Sequence, residues 1–334
     1  MKKYKIAVIG GDGIGPEVIG ETLLLLKETG LDFDFMYAEG GYGAYKKYGN
    51  SLPQQTIETC RRSDAIFFGA VTTPPHIQKY KSPIIALRRL FDLYANVRPF
   101  FSLPVSTQRK DINIVLFREN TEDLYVGEEY LIPGGAVAKR VITRKASRKI
   151  IKAAFEFALK NKRKKVTVVH KANVLRLTDG LFLNVAQSVS KKYPRIIYEE
   201  MLVDSCAMQL IKKPENFDVL VTTNMFGDIL SDEIAALTGG LGVAASANIG
   251  SKWALFEPVH GSAPKYTGTN KANPIAAFFA TCLMLKYLGE VQIATKIRKA
   301  IDSSLRNGHM TQDLGGDLSM TDFTKKVIDY YKHL

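Results

Sequence analysis

An apolar segment, 218–221, passes through two threonines into the stretch 222–242, TTNMFGDILSDEIAALTGGLG, which turns at Asn224 and Gly227 and opens a helix. A strand that feeds a helix within so few residues commits a chain to alternating elements, and the alternation recurs throughout. Residues 5–10 read as a buried strand, followed by the loop GGDGIGPE and a helix to about residue 28 with Pro16 in its first turn. Strands are predicted at 31–38, 65–68, 113–117, 165–170 and 196–201. Helices are predicted at 56–62, 83–90, 147–161 and 179–191. Asn273 is placed as the cap of a long apolar helix with Pro274 at its first position, and Thr321 as the cap of the last helix. This order implies an α/β fold with much parallel sheet. The 334 residues suggest about two domains, and with no repeat, low-complexity tract or Gly/Ser linker the two share a continuous structure.

Asp228 and Asp232 are four residues apart and stand one above the other on a single helical face. Paired carboxylates repel, and burying them without a counter-cation is costly. A hard divalent ion such as Mg²⁺ or Mn²⁺ resolves that cost, whereas two solvated acids on an outer face would need none. Arg88, Arg98 and Arg118 occupy loop or strand-end positions from which a guanidinium fork can hold a carboxylate, and three together suggest a di- or tricarboxylate substrate. Tyr125, in EDLYVG, and Lys171, just past a buried strand in VVHKANVLR, are candidate proton carriers. Asp204, in VDSCAM, is either a third metal carboxylate or the N-cap of a helix starting at Ser205.

Other classes fit less well. Cys60, Cys206 and Cys282 are scattered without a CxxC pair, which argues against a disulfide framework or zinc site and for a reducing, cytoplasmic compartment. The apolar run after MKKYK is too short for a signal sequence, and no stretch approaches the roughly 20 apolar residues of a membrane span. The net charge of +13 suits nucleic acid or a small polyanion, but the densest basic run, 162–165, lacks interleaved aromatics and reads as a solvated turn. Gly11, Gly13 and Gly15 are spaced GxGxG, and Pro16 stands where a dinucleotide fingerprint needs its last glycine. The loop therefore reads as a tight strand-to-helix turn, not a Rossmann site.

Taken together, IGGDGIGPE, LRRLFDLYANVRP, RENTEDLY, VHKANVLRLTDGLF, NMFGDILSDE, FEPVHGSAP and DLGGDLSMTDF resemble the metal-dependent β-decarboxylating dehydrogenases, the isocitrate/isopropylmalate dehydrogenase family. The resemblance covers nearly the whole chain. It implies a fold of two α/β domains that is not a true Rossmann fold: a discontinuous cofactor domain, 1–93 with 239–334, and a central dimerisation domain, 94–238. It implies that Arg88, Arg98 and Arg118, with Ser82, hold the substrate, and that Tyr125 and Lys171 move protons. Asp204, Asp228 and Asp232 would bind Mg²⁺ or Mn²⁺. Thr73, Asn173, Glu257, His260, Gly261, Ser262, Ala263, Lys265, Tyr266 and Asn273 would hold the nicotinamide nucleotide. The site would be shared in a homodimer, or in a tetramer, with Lys171 and Asp204 coming from the partner chain. Lys265 followed by Tyr266 resembles the NADP-dependent enzymes, where relatives using NAD carry an acid at the first of these positions; NADP is therefore expected and NAD is the alternative. The run SPIIALRR pairs Ser82 with an apolar wall at Ile84 and Ile85 and resembles homoisocitrate dehydrogenases. Homoisocitrate or a longer homologue is the expected substrate, then 3-isopropylmalate, then isocitrate. One methylene is worth only about 1–3 kcal/mol to such a pocket.

Overall fold

The protein is described from a computed structural model covering residues 2–77, 80–105 and 109–334. Twelve strands are present among the described residues: β1 (Lys3–Gly11), β2 (Asp32–Tyr37), β3 (Ala65–Ala70), β4 (Ala95–Phe101), β5 (Asn113–Glu119), β6 (Glu129–Ile132), β7 (Gly135–Ala138), β8 (Lys165–His170), β9 (Ile197–Leu202), β10 (Val219–Thr222), β11 (Ala245–Ile249) and β12 (Ala254–Pro258). The helices are α1 (Gly15–Lys27), α2 (Tyr42–Tyr48), α3 (Gln54–Arg61), α4 (Pro83–Leu90), α5 (Arg144–Lys160), α6 (Thr178–Ser190), α7 (Val203–Lys212), α8 (Asn224–Leu237), α9 (Ile275–Leu288), α10 (Val291–Arg306) and α11 (Met320–Lys332).

Ten strands form one sheet in the order β2-β1-β3-β12-β11-β4-β5-β10-β8-β9, and β6 pairs with β7 in a separate exposed hairpin. Two parallel blocks, β2-β1-β3-β12 and β5-β10-β8-β9, are joined by an antiparallel centre in which β11 pairs with β12 and β4, and β4 pairs with β5. The period of two along each strand supplies both faces. Ile6 and Val8 of β1 join the cluster under α1, α9, α10 and α11, whereas Ala7 and Ile9 join the cluster with α4 on the other face. On β5, Val115 and Phe117 pack toward α5 and α6, while Ile114 and Leu116 pack toward α7 and α8. No helix among the described residues is long and apolar enough to cross a membrane.

Several local expectations shift. The helix expected from residue 147 begins at Arg144, because Thr143 Oγ1 accepts from the Ala146 amide and caps it earlier. The last helix is capped by Ser319, whose hydroxyl accepts from the Asp322 amide, and not by Thr321, which lies inside the first turn. Asn273 does accept from the Ile275 amide (2.9 Å), but Pro274 precedes the first helical residue. Asp204 is not a cap, since α7 already starts at Val203. Arg163, in the basic run read as a solvated turn, forms an ion pair with Asp218 (2.9 Å). β4, β11, β12 and α10 were not expected. β4 contains Pro99, which argues against an interior strand; the β11 pairing on that side ends at Val97, so the missing amide forfeits no bond to it.

Candidate active site

The Gly-rich loop packs the chain together and leaves no Rossmann phosphate cradle. Gly11 and Gly13 have left-handed φ values of 80° and 58°, and a Cβ on them would lie 2.0 Å from the Ala70 and Ser262 carbonyl oxygens respectively. The Ile14 amide donates to Ser262 O (2.9 Å), and the Asp12 carboxylate accepts from the amides of Tyr42, Gly43 and Thr72. The turn therefore clasps the segment after β3 and the loop His260–Ala263.

The clasped segments edge a cleft of about 230 Å³, through Ala70, Val71, His260 and Gly261, whose lining also includes Ser82, Ile85, Arg88, Arg98, Arg118 and Tyr125. Arg118 comes from the end of β5, as expected, Arg88 from the last turn of α4, the helix expected at 83–90, and Arg98 not from a loop or strand end but from within β4. Asn96 lies directly opposite Arg118, so Arg98 and Arg118 are diagonal neighbours on one face of the sheet. All three are buried, and each is braced. Arg88 Nη2 meets Glu257 Oε1 at 2.9 Å. Arg98 donates to Asn96 Oδ1 (2.8 Å) and Ser231 Oγ (2.5 Å), and Arg118 Nε donates to Asn224 Oδ1 (2.8 Å).

α8 turns Asp228 and Asp232 toward these cations. Arg118 Nη1 and the Tyr125 hydroxyl both donate to Asp228, while Arg98 lies 3.6 Å from Asp228 and 3.8 Å from Asp232. Burial pulls the Arg98 guanidinium down to about 10, helped by the charge of Arg118. Burial alone would raise Asp228, but Arg118 and Arg98 outweigh it and hold the carboxyl below its ordinary range. Asp232 is held above its ordinary range by burial and by the charge of Asp228, with Arg98 opposing. Burial, with the bond to Asp228, raises the Tyr125 phenol against the pull of Arg118, so at neutral pH it keeps its proton.

Lys171 and Asp204 lie elsewhere in the chain. Their side chains meet at 2.8 Å, neither lines the cleft, and Asp204 is held below its ordinary range by Lys171. Among the described residues no three His, Cys, Asp or Glu side chains converge, so one chain brings together two of the three expected metal carboxylates. Asp228 and Asp232 form an all-oxygen pair suited to a hard cation, and Arg98 and Arg118 occupy part of that role here.

The expected nucleotide-binding residues fall into three groups. His260, Gly261 and Glu257 edge the cleft, with Ser262 and Ala263 next along the loop. Lys265 and Tyr266 form an exposed single turn after Ala263, which has a left-handed φ of 38°, and the Lys265 ammonium lies 4.9 Å from the centre of the Tyr266 ring. Asn273 is buried and donates to Asp313 Oδ2 (2.9 Å). Thr73 and Asn173 are exposed, and neither lines the cleft. Two buried nitrogens at the cleft, Arg88 Nε and His260 Nε2, have no partner among the described residues. Buried polar groups are ordinarily satisfied, so the cleft is arranged for a polar occupant, and anionic substrate and nucleotide groups fit that need.

Sequence reasoning missed the residues behind this surface. Asp123, fully buried at a left-handed φ of 72°, accepts from Arg140 (2.6 Å) and from the Met225 amide (3.0 Å). Arg140 also pairs with Asp179, whose carboxylate accepts from the Lys171 amide (2.6 Å). These bonds tie the Tyr125 turn to the start of α8 and to the Lys171 loop. The only sequence signal was Asp123 in EDLY, read there for its tyrosine.

The family model described as isocitrate/isopropylmalate dehydrogenase matches residues 5–329. The chain is 52% identical to a homoisocitrate dehydrogenase of Methanocaldococcus jannaschii and 50% identical to a 3-isopropylmalate dehydrogenase of Methanothermobacter thermautotrophicus; each match covers 98% of both chains. It is 47% identical to an isocitrate/homoisocitrate dehydrogenase of Thermus thermophilus, over 99% of both. The crystal structure of isocitrate dehydrogenase from Methylococcus capsulatus superposes with a TM-score of 0.95 at 41% identity, covering 98% of this chain and 99% of that one.

Proposed function

The chain belongs to the isocitrate/isopropylmalate dehydrogenase family and oxidatively decarboxylates a 3-substituted malate, and from that premise we propose that its substrate is homoisocitrate or a longer homologue. The observation that carries this reading is three buried guanidiniums facing two carboxylates of one helix, beside a wall of Ser82, Ile84 and Ile85. Arg88, Arg98 and Arg118 bind the malate carboxylates, while the serine and the apolar wall receive the distal arm. 3-Isopropylmalate is the second reading, since Ile84 and Ile85 also suit a branched alkyl group; isocitrate comes third.

Family members act with a divalent metal and NAD(P). Asp228 and Asp232, with Asp204 of a second copy, hold Mg²⁺ or Mn²⁺. The metal, when bound, supplies Lewis-acid polarisation of the substrate hydroxyl and of the carbonyl it becomes. The residues of the chain do the rest. Lys171 of the second copy takes the hydroxyl proton, directly or through water. Tyr125, held protonated beside Asp228, returns a proton to the carbon that loses CO₂. Lys265 and Tyr266 meet the 2′-phosphate of NADP, because a lysine gains more from a phosphate than from a free ribose diol.

Sharing of the site is supported by the apolar surface a single chain leaves open. Met208 and Ile211 of α7, Ile229 of α8, Leu177 beside the Lys171 loop and Leu131 of the hairpin are all exposed. A homodimer would cover such a surface and could bring Lys171 and Asp204 to the partner's cleft. The division into 1–93 with 239–334 and 94–238 is supported by the apolar clusters: one gathers residues from Tyr4 to Phe67 with Val243 to Tyr331, another runs from Ala95 to Val221. Exceptions include Leu103 and Val105, which pack with the first along with Phe101, and Ala244, which packs with a third cluster whose other buried residues come from 100–235. Three free, buried cysteines suit the cytoplasm.

The deciding experiment is Mg²⁺-dependent reduction of NADP and NAD with homoisocitrate, 3-isopropylmalate and isocitrate. Homoisocitrate should show the highest kcat/KM; a larger value for 3-isopropylmalate would transfer the assignment. Asp228→Asn should fold yet demand far more Mg²⁺, and full activity of that variant in metal-free buffer would refute the metal assignment.

A further inference from the structure

Arg88 and Arg98 are carried by different elements, yet a continuous buried path of hydrogen bonds joins them. Arg98 Nε donates to Asn96 Oδ1 (2.8 Å), Asn96 Nδ2 donates to Asn248 Oδ1 (2.7 Å), and Asn248 Nδ2 donates to Glu257 Oε1 (2.8 Å). The same Glu257 oxygen receives Arg88 Nη2 at 2.9 Å. All five residues are buried, and Asn96 and Asn248 have no exposed surface. The path follows the register of the antiparallel centre, where Asn248 of β11 lies opposite Asn96 of β4 and Asn96 lies opposite Arg118 of β5.

The chemistry of the ends dictates the direction of every bond between them. A guanidinium only donates and an ionised carboxylate only accepts. Arg98 therefore turns the oxygen of Asn96 toward itself, Asn96 offers its NH₂ to the oxygen of Asn248, and Asn248 offers its NH₂ to Glu257. Flipping either amide would set donor against donor or acceptor against acceptor. Side bonds hold the same orientation: Asn96 Nδ2 also donates to Ser246 Oγ (2.8 Å), and Asn120 Nδ2 donates to Asn248 Oδ1 (2.9 Å). Buried amides in a network with no alternative orientation fix the groups at its ends.

We propose that Asn248, with Asn96, is a positioning residue that sets the distance and orientation between the guanidiniums of Arg88 and Arg98, and so the fit of the substrate's carboxylates between them. Neither asparagine lines the cleft; both act through the arginines. The proposal rests on the reading of Arg88 and Arg98 as the carboxylate-binding pair.

Asn248→Asp is the discriminating change. It keeps the shape but puts an acceptor where Asn248 Nδ2 meets Glu257, so two carboxyl groups face each other and Glu257 is drawn from Arg88. The KM for homoisocitrate should rise and kcat/KM should fall about 10- to 100-fold, the scale of a misplacement of about 1 Å. The dissociation constant of adenosine 2′,5′-bisphosphate, which carries the phosphate read by Lys265 and Tyr266 and lacks the nicotinamide half, should move less than about threefold, which general loosening of the fold would not spare. If Asn248→Asp does not fold, Asn248→Ser carries the test; its side chain is too short to reach Glu257 and should raise the same KM about fivefold. An unchanged homoisocitrate KM in Asn248→Asp or Asn248→Ser overturns the proposal. Arg88→Lys and Arg98→Lys are the controls for the underlying reading. If neither raises the homoisocitrate KM, the carboxylate-binding assignment fails; if they raise it and the Asn248 variants do not, only the positioning role fails.

Discussion

Gly227 sits in the first turn of α8 with its back to Arg118, and replacing it with alanine should separate activity from stability. A Cβ at this position would lie 2.7 Å from both Cβ and Cγ of Arg118 and 3.2 Å from Thr222 Cγ2. Ordinary contact begins near 3.4 Å, so the helix and the strand must part by about 0.7 Å. Arg118 cannot yield easily. Its first two side-chain carbons are the atoms struck, and its far end is tied to Asn224 and Asp228. The stability ledger nearly cancels: overpacking costs about 1–3 kcal/mol, while alanine in place of a helical glycine returns about 1 kcal/mol. With an unfolding entropy of about 2.1 cal/mol/K per residue, a net loss of about 0–2 kcal/mol lowers Tm by less than about 3 °C in a chain of this length. Catalysis has no such compensation, because the shift acts on the guanidinium that touches Asp228 and on the helix that carries it. Gly227→Ala should lose about 10- to 100-fold in kcat/KM, by the sensitivity of catalysis to displacements near 1 Å. Nucleotide reduction with homoisocitrate and saturating Mg²⁺ measures the first quantity and calorimetry the second. Wild-type kcat/KM in this variant would refute the placement of Arg118 against α8, and a Tm lowered by ten degrees or more would show that the contact serves the core instead of the site.

Three further outcomes are expected. Lys171→Met should block the oxidation step while still decarboxylating an externally supplied β-keto acid, whereas Tyr125→Phe should slow that decarboxylation; equal rates on the supplied intermediate would refute the division of roles. Lys265→Asp combined with Tyr266→Ile should move the NADP-to-NAD ratio of kcat/KM about 10- to 100-fold toward NAD, the worth of one charge-assisted contact, and a wild type that prefers NAD at equal concentration would refute the assignment. Glu122 is pushed up to about 7 by burial and by the charges of Glu119 and Asp123, against the Thr143 amide that donates to it. The neutral acid is the form the fold favours, so its contribution is complete below the ordinary carboxylate range and is lost as pH rises through about 7; Tm should fall between pH 5 and pH 8, and Glu122→Gln should flatten that slope, which a pH scan by calorimetry would test.

What the sequence disclosed, and what it hid, follow from the range of the interactions concerned. The Asp228–Asp232 pair and most helices rest on neighbours within four residues, and such patterns are visible in one dimension. β4 was hidden by its own function. In ANVRPFF the polar residues Asn96 and Arg98 alternate with Val97, Pro99 and Phe101, which imitates an edge strand with a solvated face. That polar face is in fact buried, and it is affordable only because each group finds a partner from distant sequence: Asn96 from Ser246 and Asn248, Arg98 from Ser231. The partners are 150, 152 and 133 residues away, beyond any local periodicity. Lys171 and Asp204 show the opposite limit. Their motifs could be read, yet in one chain they pair with each other at 2.8 Å, away from the cleft. Under the proposed sharing of the site, a second copy would receive both groups, and its cleft could redirect that ion pair. Because Asp204 is largely exposed, the pair is of the surface kind that contributes little to stability, and docking against another chain could displace it at small cost.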